Sequence, residues 1–81
     1  MVRHMQTNAL LPKKLIVRHI TRNKYLSPAG RWVKRVGAAF NFPNPLNAIN
    51  TCLGRGLKGV ELILHFGEAA PDCRIPMDAL Q

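Results

Sequence analysis

The chain has 81 residues, enough for one small domain whose single core gives only modest stability. It carries 12 lysines and arginines but only 4 acids, a net charge of +8, so we expect polyanions or an acidic protein as partners. No apolar run approaches the ~20 residues of a membrane span, and two cysteines allow at most one disulfide. We therefore expect a cytoplasmic protein with reduced thiols and no membrane contact.

The positive charge is concentrated in the first part of the chain. Glu61 is the first acid, and 11 of the 12 basic residues precede it. A soluble basic surface without a polyanion ligand has the same composition, so charge alone does not decide the function. No secretory signal is visible at the start, although an acid-poor N-terminus with arginine also suits an organelle transit peptide.

Three extended segments follow a start without structure. Residues 1–12 lack a clear period, which predicts a flexible N-terminal arm ahead of one domain over residues 13–81. Alternating apolar and polar residues then predict strands over 15–21, 25–27 and 31–36. Asparagine at the first turn and Pro-Ala-Gly at the second favour tight corners, so the pattern is that of a meander of local hairpins.

A helix is predicted after the meander. Asn44 can cap its free N–H groups, and Pro45 suits the first helical position. Leu46, Ile49 and Leu53 recur at helical spacing, with Ala48 and Cys52 alongside, and this apolar stripe predicts the face that packs on the sheet. The glycines that follow are expected to end the helix.

Those glycines form a G-x-G-x-x-G string over residues 54–59. A dinucleotide site needs a strand before that motif and a helix after it, which is the reverse of the order predicted here. A continuous apolar run over residues 60–66 predicts a central strand. A last short strand is predicted over residues 73–77, and Pro76 confines it to an edge of the sheet.

These elements predict an α+β fold of two layers. An antiparallel sheet of three to five strands would be covered on one face by one helix, in the order β-β-β-α-β-(β), and its outer side would stay cationic. The residues expected in the core are Leu15, Val17, Trp32, Phe40, Leu46, Ile49, Leu53, Val60, Leu62, Leu64 and Phe66.

Histidines and cysteines form no recognisable catalytic or metal motif. His4, His19, His65, Cys52 and Cys73 show neither of the C-x-x-C and H-x-x-x-H spacings typical of zinc sites. All four acids lie in the last 21 residues, and none is close enough in sequence to a histidine to suggest a catalytic dyad. We therefore expect no enzyme activity, no catalytic residue, no metal and no cofactor.

Binding of nucleic acid or another polyanion has the better case. Six cations lie on neighbouring strands and turns of the meander, interleaved with Tyr25 and Trp32. Cations neutralise phosphates, and exposed rings can stack on unpaired bases, although a single tryptophan usually belongs to the core. The predicted binding residues are Arg18, Arg22, Lys24, Arg31, Lys34 and Arg35.

Protein–protein interaction or homodimerisation is the alternative. Short edge strands near residues 25–27 and 73–76, together with a small core, would suit strand addition by a partner or by a second copy. The two hypotheses differ in what they require, because only polyanion binding depends on the cations.

Four short motifs carry a resemblance that covers roughly residues 15–66. Tyr25-Leu26, Gly30-x-Trp32, Ala39-Phe40 and Asn47-Ala48-Ile49 are similar to a pattern in small uncharacterised bacterial and phage-encoded proteins. In that pattern a strand and a Gly-x-Trp turn lead to an Ala-Phe segment and a helix. This chain departs from it at Asn47, where an acid is common, and in its Pro-Asn-Pro run. The resemblance implies the same fold and assigns no activity or site residue.

Overall fold

The computed structural model describes residues 11–77, so most of the predicted N-terminal arm lies outside the described residues. Within that range the chain forms one antiparallel sheet of five strands and one α-helix, which confirms the predicted α+β fold. In chain order the elements are β1 (Lys14–His19), β2 (Lys24–Leu26), β3 (Trp32–Val33), a short 3-10 helix (Val36–Ala38), α1 (Pro45–Gly54), β4 (Val60–His65) and β5 (Cys73–Pro76).

The strands lie in the order β3-β2-β1-β4-β5, so β1 is central. Hairpins join β1 to β2, β2 to β3 and β4 to β5. The longest ladder pairs β1 with β4, from Lys14 opposite His65 to His19 opposite Val60. Helix α1 lies between β3 and β4 in sequence, and it carries the chain across the sheet.

The third strand is shorter than its alternating sequence predicts. Only Trp32 and Val33 pair with β2, and the 3-10 helix follows within three residues. Continuing the register by one step would place Lys34 directly opposite Lys24. Like charges in that position destabilise an antiparallel pair, so the ladder ends at Val33.

Helix α1 begins as the sequence predicts. The side chain of Asn44 accepts a hydrogen bond from the backbone N–H of Asn47 at 2.8 Å, and Pro45 is the first helical residue. The helix ends at Gly54, and Gly56 then adopts a positive φ of 65° in the return towards β4. These glycines therefore cap a helix and turn the chain.

The helix packs on the sheet through small residues rather than through leucines. Ala48 and Cys52 are buried and Ile49 is partly buried, whereas Leu46 and Leu53 are 64% and 50% exposed. The predicted helix face is therefore right for the first three residues and wrong for the two leucines. Phe42, from the segment before the helix, belongs to the same buried cluster as Ala48 and Cys52.

The core lies between α1 and one face of the sheet. Of the predicted core residues, Leu15, Val17, Val60 and Leu62 are buried, and Trp32, Phe40, Ile49 and Leu64 pack partly buried against them. Phe66 is only partly buried. The sequence interpretation missed Leu26, Phe42 and Met77, and it placed Ala48 and Cys52 on the apolar stripe of the helix without naming them as core residues.

The opposite face of the sheet, which we call the outer face, has an apolar centre. Ile16 and Ile63 are paired in register there and are 2% and 3% exposed. The next pair along the same face is Arg18 with Glu61. The expectation of a purely cationic outer side is therefore wrong, because its middle is apolar and one of its cations is neutralised.

Candidate nucleic-acid interface

Arg18 is committed to an ion pair within the sheet. Its guanidinium donates to a carboxylate oxygen of Glu61 at 2.6 Å, and its Nε donates to the side-chain oxygen of Asn23 at 2.8 Å. Both charged side chains are largely shielded from water, with 15% and 8% of their side-chain surface exposed. The positive charge of Arg18 is therefore balanced inside the protein rather than presented to a ligand.

Arg22 and Lys24 lie at the other end of the first hairpin. Arg22 is exposed in the turn, where its backbone N–H donates to Nδ1 of His19 at 3.2 Å. Lys24 is half-buried in β2 and pairs with His19 in register, which places it on the helix side of the sheet. The six predicted cations therefore do not share one strand face.

Three of the six cations do group along one border of the molecule. Arg31, Lys34 and Arg35 are exposed and flank β3, which is the edge strand of the sheet. We call these three residues the cationic edge. Lys24 extends it, because β2 pairs directly with β3.

The acids within residues 11–77 lie on the other side of β1 from the cationic edge. Glu61 is on β4 and is paired with Arg18, whereas Glu68 and Asp72 lie in the loop that joins β4 to β5. Adjacent strands are ~4.8 Å apart, so β3 and β4 are separated by about 14 Å. That distance exceeds the Debye length of about 8 Å at physiological salt, so the acids compensate the cationic edge little.

The two aromatic residues of the meander are half-buried on different faces. Trp32 packs against the core and meets the ring of His19 edge to face, with 5.3 Å between the ring centroids. Tyr25 is partly exposed and pairs with Arg18 in register, on the outer face. Trp32 therefore serves mainly as a core residue, as a lone tryptophan usually does.

The structure brings together one histidine and one acid that the sequence interpretation did not connect. Nδ1 of His65 lies 2.8 Å from Oδ1 of Asp72, and both side chains are about two-fifths exposed. They are seven positions apart in the chain, and the β4–β5 hairpin brings them together. Cys73 pairs with Leu64 and so faces the helix side, whereas His65 faces the outer side. The thiol and the imidazole therefore lie on opposite faces.

The two cysteines are free thiols in different environments. Cys52 is on the buried side of α1, and Cys73 is exposed on β5. Burial raises the pKa of the Cys52 thiol, because the thiolate loses its hydration there. Cys52 is thus a neutral, apolar core group at physiological pH.

The part of the chain that the structure describes has neither a metal-ion cluster nor a membrane-spanning helix. No three His, Cys, Asp or Glu side chains between residues 11 and 77 come close enough to hold a metal ion. Within the same range no helix has the length and apolar character that crossing a membrane requires.

The chain matches no protein-family model, and searches of the curated proteins and of the solved structures gave no match. The function proposed below is therefore argued from this chain's own side chains, their exposure and their charges.

Proposed function

We propose that the protein is a non-enzymatic nucleic-acid-binding module and that its cationic edge contacts phosphates. The observation that carries the proposal is the exposure of Arg31, Lys34 and Arg35 around β3, with the acids of residues 11–77 on the other side of β1. Two of the three are arginines, whose planar guanidinium groups bind phosphate through two hydrogen bonds at once. A neutralised phosphate releases its counterions, and that release drives the association.

The proposed contact uses fewer residues than the sequence predicts. Arg18 is balanced by Glu61, so we leave it out of the proposed contact. Lys24 borders the cationic edge through the β2–β3 pairing, and Arg22 is exposed in the turn before it. The proposed contact thus runs from the β1–β2 turn along the border formed by β3.

Binding of a single-stranded oligonucleotide, measured by fluorescence anisotropy across a salt series, tests the proposal. Each phosphate contact on a single strand contributes about −0.7 to the slope of log K against log salt. Replacing all three residues of the cationic edge by glutamine should therefore reduce the slope by about 2. The matched control removes the same charge elsewhere, with Lys13→Gln, Lys14→Gln and Arg74→Gln, all of them exposed positions.

The control variant should keep most of the wild-type affinity and slope. Equal losses in the two triple variants would show that binding follows net charge and that the cationic edge has no special part. A wild-type protein that fails to bind at low salt, or binds with no salt dependence, would end the nucleic-acid proposal.

An edge-strand interaction is the alternative, and β5 is the feature that favours it. The other predicted edge, near residues 25–27, is wrong, because β2 lies between β3 and β1. The four residues of β5 lie at the border of the sheet with no further strand among residues 11–77, and three of them are exposed. Pro76 lacks an N–H group and shortens the surface available for pairing. Sedimentation velocity over a concentration series tests self-association through this edge. A monomer at every concentration would exclude a homodimer.

A further inference from the structure

A pocket of about 250 Å³ lies between α1 and the segment that follows β2. Its floor is apolar and is formed by Leu26, Phe40 and Phe42. The two phenylalanine rings meet edge to face with their centroids 4.7 Å apart, so the aromatic part of this floor is rigid. The volume is below the ~300 Å³ at which pockets for drug-sized ligands begin, so it suits a single planar ring system.

One wall of the pocket is polar and is formed by the helix and the residue that directly follows it. Asn47, Thr51 and Arg55 line it at four-residue spacing, so they stand above one another on successive turns. They present an amide, a hydroxyl and a guanidinium. An amide and a hydroxyl can each donate and accept hydrogen bonds, as the edges of nucleobases require, and a guanidinium binds phosphate.

The turn at residues 27–31 links the pocket to the cationic edge along the chain. Pro28 lines the pocket. Arg31 closes the same turn, because its backbone N–H donates to the hydroxyl of Ser27 at 3.1 Å. The guanidinium of Arg55 lies directly over Gly30, where an added Cβ would be 2.6 Å from its Nη1. Gly30 also has a positive φ of 81°, so glycine at this position both turns the chain and leaves room for Arg55.

We propose that this pocket holds one unpaired base of a single-stranded nucleic acid whose phosphates lie along the cationic edge. The inference rests on the proposed function and adds to it a preference for single strands, because a base within a duplex cannot enter the pocket. The base lies against the apolar floor, and Asn47 and Thr51 form hydrogen bonds with the polar edge of the base. Arg55 stands at the rim, where it can bind the phosphate next to that base.

The test compares an oligothymidylate with an abasic strand of the same length and charge. If a base enters the pocket, the oligothymidylate should bind about tenfold more tightly than the abasic strand, within the range known for one base stacked on protein. Thr51→Leu should reduce that difference, because it narrows the pocket and removes its hydroxyl group without changing the charge. Asn50→Leu, on the same helix but outside the pocket, is the matched control and should retain the difference.

A second pair of variants keeps the inference testable if Thr51→Leu does not fold. Asn47→Asp places a carboxylate on the polar wall, and its position in the first helical turn suits a negative charge, so the helix should tolerate it. Asn50→Asp adds the same charge outside the pocket. The preference for bases should fall in Asn47→Asp and persist in Asn50→Asp.

The possible outcomes separate the two proposals. Equal affinity of the wild-type protein for both strands would overturn the pocket and leave the cationic edge in place. A preference for bases that survives in both pocket variants would place the base elsewhere and overturn the inference. Failure of both strands to bind would overturn the proposed function and the inference together.

Discussion

Arg18 and Glu61 lie directly opposite each other in the β1–β4 ladder, and their charged groups meet at 2.6 Å on the outer face of the sheet. Among residues 11–77, Glu61 is the one charged residue that is buried, with 6% of its surface exposed. A carboxylate that is shielded from water needs a partner, and Arg18 supplies it while Asn23 holds the guanidinium from the other side. The pair therefore ties the central strand to β4.

We expect removal of one partner of this pair to cost more than removal of both. Arg18→Met leaves the buried carboxylate unpaired and should lower the free energy of unfolding by about 2–4 kcal/mol. The double variant Arg18→Met with Glu61→Leu should lose less than Arg18→Met alone, because no charge is then left without a partner. Urea denaturation of the wild type, both single variants and the double variant measures the coupling. Costs that simply add would contradict an interaction between the two side chains.

The packing of α1 on the sheet can be tested by placing the same negative charge on the buried side and on the exposed side of the helix. Ala48→Asp puts a carboxylate into the core, where the position is fully buried, and should prevent folding. Leu53→Asp makes the corresponding change at a half-exposed position and should leave a cooperative thermal transition close to that of the wild type. Circular dichroism during heating distinguishes the two. A folded Ala48→Asp protein, or an unfolded Leu53→Asp protein, would reverse the assignment of the helix face.

Loss of the helix cap should have a smaller and measurable effect. Asn44→Ala removes the side-chain oxygen that accepts from the N–H of Asn47, and we expect it to lower the free energy of unfolding by about 1 kcal/mol. Asn50→Ala is a control on the same helix, because Asn50 is exposed and lies away from the cap. Equal stabilities of the two variants would show that the cap contributes nothing.

The buried thiol predicts a stability that falls at alkaline pH. Burial raises the pKa of Cys52 in the folded state, so the unfolded chain releases its proton first as the pH rises. Stability from this group is complete below the ordinary thiol pKa of roughly 8.5 and declines above it. Urea denaturation across that range should show a shallower decline in Cys52→Ala than in the wild type. Cys73→Ala removes an exposed thiol and should keep the wild-type decline.

Local signals in the sequence were sufficient for most of the elements. Asn44 and Pro45 marked the helix start because a cap and a first-turn proline act within four residues. Asn23 marked the first turn and indeed adopts a positive φ of 55°. Alternation also predicted correctly that Leu15 and Val17 share the buried side of β1.

Features that depend on distant partners could not be read in the same way. The leucines of α1 have helical spacing, but the tertiary packing buries Ala48 and Cys52 and leaves Leu46 and Leu53 exposed. The sequence placed Arg18 among the binding cations because its partner, Glu61, is 43 residues away. Likewise the pocket at Arg55 needs Gly30 and Phe40, which come from before the helix.

The position of β1 between β2 and β4 has a consequence for how quickly the protein folds. The hairpins close short loops, whereas the β1–β4 ladder must bring together segments from opposite ends of the described chain. Closing so long a loop costs entropy before any contact is gained, so we expect this step to limit the rate. Until it occurs, both sides of the future junction are open strand edges, and a newly made chain is most prone to aggregate during that interval.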